Sequence, residues 1–447
     1  MLDEKSAQLV TFYGHPPLPR YVGAMTWALF HHWFETIPAM RMGAILFFSG
    51  TVAILYQMVS KHEGMWAGLF ASLGLACMPR ILGQAFVLSS DIALLFCWLA
   101  ASFVYLETRN HKWGGAVTGV SWGFLLITKF TAFLWIIPLF VYEIICERKI
   151  RFRFWITLIL VSLLVAIMLN PTWWRHPWEG LWTHHIRLSL GRFNYLPITT
   201  YYLGHVGLPG WHYVLVMMAF TTPVAILFFF IVGLFTAMRR NSGGNFRMFC
   251  LVQFLTLLIV FSIPISPKYD GTRLFIVIFI WIAAMAGIGL RHAMEKWPGR
   301  KIGIIAFILL GICAIRAFQV HPFEFSYYNV LAGGARGAQK LGLESTYFWE
   351  AANPTFCDGL NKYLPAGSKV QVYPPYPDHF SFLQFAGYIR RDIEFTRDPA
   401  RYLLLMTRQG QFTPMVWKIF TENLPVVKSV FEGVSLMQLY DVSDFKS

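Results

Sequence analysis

Long apolar runs recur from about Arg41 to Gln319, and they constrain the fold of this chain more than any other feature. Only 13% of its 447 residues are Asp, Glu, Lys or Arg, whereas soluble domains average about 25%. A helix that crosses a bilayer needs about 20 apolar residues, or about 17 when it stands upright. The runs therefore predict about ten spans, near residues 41–60, 65–80, 86–106, 114–129, 131–147, 154–170, 212–238, 248–264, 274–290 and 301–319.

The two ends of the chain differ from this middle part. Segment 22–34 is shorter and carries two histidines and Trp33, which favours an interfacial helix. Residues 320–447 have the composition of a soluble protein, with β-rich runs alternating with helical ones. Strands are expected at Val370–Tyr373, Tyr402–Met406, Val426–Phe431 and Ser435–Tyr440, and helices at Phe356–Tyr363 and Met415–Asn423. We predict a polytopic α-helical membrane protein with a C-terminal extracytoplasmic α/β domain, divided into 1–40, 41–319 and 320–447.

Lys and Arg side chains gather in alternate loops between the predicted spans. Loops 109–112, 148–153, 239–247 and 291–301 are rich in them, so these loops and Lys61 are expected in the cytoplasm. The N-terminus, loop 171–211 and the tail then face outward, and the net charge of +14 reflects this pattern rather than nucleic-acid binding. Residues 1–20 contain no signal peptide or span that could export the N-terminus, so a further span encoded upstream of Met1 is expected.

Four cations lie at the predicted outer ends of spans: Arg80, Lys129, Lys268 and Arg273. Ionisable groups near membrane depth are costly and are often functional, and four cations on one face could converge on a phosphate. Each of them could instead be a snorkelling or capping residue. Asp91 follows Ser89-Ser90 at the start of a span, where a carboxylate is also costly.

The outward loop that begins Asn170-Pro171-Thr172-Trp173-Trp174 is rich in aromatic residues. An aromatic belt at the membrane interface explains it more simply than stacking on sugar rings. His184 and His185 in the same loop are not spaced with Cys or carboxylates as metal ligands would be. The loop therefore predicts no metal site.

Several motifs, in this order and on the outer side, resemble those of one family. They are His15-Pro16-Pro17-Leu18, Asp91 in Ser89-Ser90-Asp91, Ile127-Thr128-Lys129, Tyr269-Asp270-Gly271-Thr272-Arg273, and the tail segments His321-Pro322-Phe323, Tyr327-Tyr328-Asn329 and Glu344-Ser345-Thr346-Tyr347. The chain resembles the GT-C membrane glycosyltransferases of the protein-mannosyltransferase and aminoarabinose-transferase type (glycosyltransferase family 39-like). The resemblance extends over nearly the whole chain.

The resemblance implies transfer of a sugar from a polyprenyl-phosphate-linked donor to a lipid, glycan or protein acceptor, at the outer face of a membrane such as a bacterial inner membrane. A carboxylate would act as general base, with inversion at the sugar. The implied donor-phosphate ligands are Lys129, Lys268, Arg273 and Arg80; the implied substrate-binding residues are His15, Tyr269 and Asp270; and Asp91 is a catalytic-site residue that positions substrate. No nucleotide or redox cofactor is needed, and a divalent metal stays open.

The chain departs from the family at the catalytic acid, which the family places in an Asp-Glu-like pair well before His-Pro-Pro. Only Asp3-Glu4 precede His15 here. Either Asp3 is a shortened equivalent, or the acid lies upstream of Met1.

Two other classes of protein compete with the enzyme. A transporter or flippase for a lipid-linked anion would also contain cations and many spans, but transporters often show an internal repeat with charges near the midplane. The sequence has no such repeat, and its notable charges lie at the outer ends of spans. A structural membrane protein that displays the tail would leave the outer cations unexplained.

Overall fold

The computed structural model describes residues 15–148, 150–174, 177–182, 198–239, 245–297, 300–347 and 349–443. Its helices are α1 Leu18–Phe30, α2 Thr36–Glu63, α3 Met65–Ala76, α4 Pro79–Leu82, α5 Ser90–Thr108, α6 Gly114–Leu126, α7 Ile136–Tyr142, α8 Phe152–Leu169, α9 Pro177–Leu181, α10 Tyr213–Thr221, α11 Val224–Met238, α12 Asn245–Ser262, α13 Ile278–Lys296, α14 Arg300–Val320, α15 Gly334–Lys340, α16 Pro354–Tyr363, α17 Asp378–Phe385 and α18 Pro414–Glu422. The strands are β1 Thr200–Tyr202, β2 His205–Gly207, β3 Lys369–Tyr373, β4 Glu394–Thr396, β5 Tyr402–Met406, β6 Val427–Phe431 and β7 Val434–Asp441.

The chain forms two compact units. The first contains Met1–Pro197, Pro223–Pro267 and Thr272–Ala317, and the second contains Ile198–Thr222, Lys268–Gly271 and Phe318–Ser447. The second unit thus joins the C-terminal tail to a hairpin-containing segment and a four-residue loop. The predicted divisions at 1–40, 41–319 and 320–447 describe which segments lie inside or outside a membrane, and they stay predictions.

The described part of the chain contains six helices that are long and apolar enough to cross a membrane, and α3 with Pro79–Phe86, bent by 72°, would make a seventh. Every predicted apolar run contains helix, which confirms the polytopic helical class. Run 212–238 differs from the expectation because it is broken into α10 and α11 at Thr222-Pro223. Pro223 has no backbone N–H and cannot continue a helix from α10.

Small residues allow close helix packing in the first unit. A Cβ atom at Gly115 or Gly119 of α6 would lie 2.7 Å from the Phe154 carbonyl oxygen or 2.8 Å from the Leu158 carbonyl oxygen of α8. In the same way, a Cβ at Gly233 of α11 would lie 1.9 Å from the Met285 carbonyl oxygen of α13. Within a membrane, where lipid tails are as apolar as side chains, such close backbone contact is what drives helices together.

A five-stranded mixed sheet forms the core of the second unit, in the order β4-β3-β5-β7-β6. Strand β3 pairs in parallel with β4 and β5, and β7 pairs antiparallel with β5 and β6. Alternate side chains of β5 lie on opposite faces of the sheet. Leu404 lies in the main core, whereas Leu403 and Leu405 pack with Val416 and Ile419 of α18. The predicted α/β tail is confirmed, and β4 is the strand of its sheet that the sequence did not predict.

Candidate active site

Asp91 is the fully buried centre of a charged cluster in the first unit. It lies in the first turn of α5, where its backbone N–H donates to the Ser89 hydroxyl at 3.2 Å. That hydroxyl in turn donates to Gln84 Oε1 at 2.9 Å. The N-terminal end of a helix carries a partial positive charge, so this position favours the ionised carboxylate.

Two cations neutralise Asp91 from distant parts of the chain. Lys129 Nζ lies 2.5 Å from Asp91 Oδ1, and Arg273 Nε lies 2.7 Å from Asp91 Oδ2. Lys129 reaches this position because α6 ends at Leu126 and the backbone is extended at Lys129. These three side chains, one carboxylate and two cations, sum to a formal charge of +1.

The two cations differ in exposure. The Lys129 side chain is 1% exposed, and the Arg273 side chain is 27% exposed. Snorkelling therefore does not describe Lys129 in this structure, because its ammonium group is buried against a carboxylate. Arg273 is the cation of the pair that a ligand can reach.

The His15 segment lies beside the Lys129 loop. The His15 ring stacks on the ring of Phe130, with centroids 5.3 Å apart and planes inclined by 20°. The backbone N–H of Leu18 donates to the Ile127 carbonyl oxygen at 3.0 Å. The fold thus joins two motifs that lie more than a hundred residues apart in the sequence.

Among the other predicted site residues of the first unit, only Arg80 lies in the part of the chain that the structure describes. Arg80 is buried in the short helix α4, near the start of the segment that leads to Ser89. Asp3 lies outside the described residues, as do His184 and His185. In the part of the chain that the structure describes, no three His, Cys, Asp or Glu side chains are grouped to hold a metal ion.

Lys268, Tyr269 and Asp270 belong to the second unit. Asp270 and Gly271 both adopt left-handed backbone conformations, with φ of 57° and 63°; Asp is among the few non-glycine residues that do so at low cost. The Asp270 carboxylate accepts a hydrogen bond from Arg408 Nη2. Lys268 is buried, and this burial lowers the pKa of its ammonium group.

Glu344 is a second buried acid in this unit, and no chemical role was predicted for it. Its Oε1 accepts hydrogen bonds from the backbone N–H groups of Gly410 at 2.7 Å and Tyr201 at 3.3 Å. Burial raises the pKa of Glu344 to about 7, although nearby Arg408 acts in the opposite direction. Nothing local in the sequence signals Arg408 or Glu344 as partners of this loop, because their contacts depend on tertiary structure.

Comparisons with known proteins agree with this architecture. Residues 14–174 match the family model for dolichyl-phosphate-mannose-protein mannosyltransferases. The fold is similar to that of ArnT from Cupriavidus metallidurans in the apo state, with a TM-score of 0.54 and 14% identity over 97% of this chain and 90% of that chain. The same protein bound to undecaprenyl phosphate gives a TM-score of 0.51 and 13% identity over 97% of this chain and 88% of that chain. The chain has the GT-C fold of these structures. No curated protein sequence matches the chain significantly.

Proposed function

We propose that this protein is a glycosyltransferase that moves a sugar from a polyprenyl-phosphate-linked donor to an acceptor at the outer face of the membrane, with inversion. The observation that carries the proposal is the Asp91–Lys129–Arg273 cluster, in which a buried carboxylate holds two cations and one of them, Arg273, is 27% exposed. The fold of the chain is shared with ArnT, which has been solved with undecaprenyl phosphate bound. A lipid phosphate is an anion that the partly exposed guanidinium of Arg273 would bind.

Within the cluster, Arg273 is assigned to the phosphate and Lys129 to the positioning of Asp91. Arg273 is the more exposed cation, with 27% of its side chain accessible, and a guanidinium can present two N–H groups to two phosphate oxygens. Lys129 is buried against Asp91 Oδ1 at 2.5 Å. The ion pair therefore holds the cations in place before charge develops on the leaving phosphate, which is how preorganised groups lower a barrier.

The proposed reaction displaces the lipid phosphate directly. An acceptor hydroxyl or amine attacks the anomeric carbon, the bond from that carbon to the phosphate oxygen breaks, and the electron pair leaves with the phosphate. A carboxylate takes the acceptor's proton. Both oxygens of Asp91 already accept from cations, so we assign Asp91 to positioning and leave the base to another carboxylate, for which Asp3 is the candidate from the sequence.

Purified full-length chain, given a labelled undecaprenyl-phosphate sugar and a panel of lipid, glycan and protein acceptors, tests this proposal. Arg273→Gln should slow transfer by about ten- to a hundredfold, because a charged hydrogen bond contributes about 1.5–3 kcal/mol. Arg397→Gln is the matched control, since Arg397 is 64% exposed in the second unit and should not affect the rate. Movement of the lipid donor across vesicles without sugar transfer would instead indicate a flippase.

A further inference from the structure

A cavity of about 410 Å³ is lined by residues of α11, α13 and α14 and by Arg239 and Trp297, which follow α11 and α13. Its walls are mostly apolar and include Phe235, Ile305 and Leu309. Arg239, His292 and Lys296 line it as well, and no acidic residue is among the described residues that do so. An apolar slot with cations at one end matches the chemistry of an anionic lipid.

We propose that this cavity binds an anionic diacyl phospholipid, such as phosphatidylglycerol, from the cytoplasmic leaflet. Arg239 and Lys296 belong to the loop set that the positive-inside rule places in the cytoplasm. The phosphate would lie against these two side chains, and one acyl chain would lie along Phe235 and Ile305. Both apolar side chains are more than half exposed, at 61% and 52%, as lipid-facing groups are.

The charged residues next to the cavity support binding of an anionic headgroup there. Lys296 Nζ lies 4.9 Å from the centroid of the Trp297 ring, and both residues line the cavity. The adjacent acid Glu295 is paired with Arg291, whose Nε lies 2.6 Å from Glu295 Oε1. The acid beside Lys296 is thus paired with a different cation.

The proposal is separate from the donor site, so its test needs no sugar transfer. Full-length protein in detergent is titrated with phosphatidylglycerol or with phosphatidylcholine of the same acyl chains, and bound lipid is counted by native mass spectrometry. Arg239→Gln/Lys296→Gln should weaken phosphatidylglycerol binding by about ten- to thirtyfold, because each basic side chain near an anionic headgroup contributes about three- to fivefold. Phosphatidylcholine should bind wild type and variant equally weakly.

Matched variants distinguish this site from general effects of charge. Arg153→Gln/Lys112→Gln removes the same two charge types from exposed positions in other predicted cytoplasmic loops and should leave binding unchanged. Ile305→Trp should fill the cavity and abolish binding, whereas Ile312→Trp, on the same helix and 57% exposed but outside the cavity, should not.

Three results would overturn the proposal. The first is equal binding of the two phospholipids by the wild-type protein. The second is an equal loss of phosphatidylglycerol binding in the Arg239→Gln/Lys296→Gln and Arg153→Gln/Lys112→Gln variants. The third is displacement of phosphatidylglycerol by equimolar undecaprenyl phosphate, which would assign the cavity to the donor lipid. If Ile305→Trp does not fold, the two charge pairs alone decide the outcome.

Discussion

The charge balance around Asp91 leads to a prediction in which a second mutation rescues the first. Asp91→Asn removes the carboxylate that faces Lys129 Nζ at 2.5 Å and Arg273 Nε at 2.7 Å, and it leaves two cations without their counterion. Removing one partner of a buried ion pair costs about 3–5 kcal/mol. Lys129→Met leaves the balanced pair of Asp91 with Arg273, so it should cost less, about 1.5–3 kcal/mol for one charged hydrogen bond.

The double variant Asp91→Asn/Lys129→Met should therefore be more stable than Asp91→Asn alone. It leaves one cation, Arg273, whose side chain is 27% exposed and can turn toward water. We expect a coupling energy of about 2–3 kcal/mol between the two substitutions, in the upper part of the range of about 0.5–3 kcal/mol found for residues in direct contact. If Lys129 were instead a snorkelling residue without this ion pair, Lys129→Met should be neutral or stabilising.

The free energy of unfolding is measured for the wild type, the two single variants and the double variant. The purified proteins are unfolded in mixed detergent micelles, and tryptophan fluorescence follows the transition. Asp398→Asn and Lys362→Met, both at exposed positions, should each change the unfolding free energy by less than about 0.5 kcal/mol. A double variant that is less stable than Asp91→Asn, with additive losses, would refute the ion-pair reasoning.

Three further outcomes follow from the described contacts. Glu344 holds its proton more tightly when folded, with a pKa of about 7 against an ordinary 4.5, so the stability it contributes is complete below pH 4.5 and is lost as the pH rises through 7. This loss amounts to about 3 kcal/mol, and melting curves of Glu344→Gln should lack it. Gly410→Ala should lower the melting temperature, because its Cβ would lie 2.5 Å from Glu344 Oε1 and 2.6 Å from Thr200 Cα; an unchanged melting temperature would contradict this packing. Gly233→Val should unfold or loosen the α11–α13 pair, since even a Cβ there meets the Met285 carbonyl oxygen at 1.9 Å, whereas Gly311→Val on α14, where a Cβ meets nothing within 4 Å, should melt like wild type.

The helical class and the tail sheet could be predicted because both depend on local patterns. Apolar runs of span length mark the helices whatever lies around them, and alternating side chains mark a strand such as Tyr402–Met406. The break at Thr222-Pro223 could not be located by hydropathy, since the residues on both sides are equally apolar. Strand β4, with three residues, is too short to give a periodic signal.

The members of the charged cluster could be selected from the sequence, but their relation to one another could not. Asp91, Lys129 and Arg273 each stand out as an ionisable residue at the end of an apolar run. Their bonds join residues 38 and 182 positions apart, and no pattern of spacing specifies such a contact. The same holds for Asp270 and Arg408, which lie 138 positions apart.

The contacts of Asp91 with Lys129 and Arg273 change what these three residues can do. Taken as separate groups, two cations would present a charge of +2 to a phosphate, and the carboxylate would be an independent acid or base. Bound to each other, they form a unit of charge +1 in which Asp91 holds both cations in fixed positions. A smaller charge held in place can stabilise a leaving phosphate more than a larger one that must reorganise, because the reorganisation is completed when the protein folds. The interaction between Asp91 and Lys129 is therefore expected to affect catalysis through the position of Arg273, and not through proton transfer.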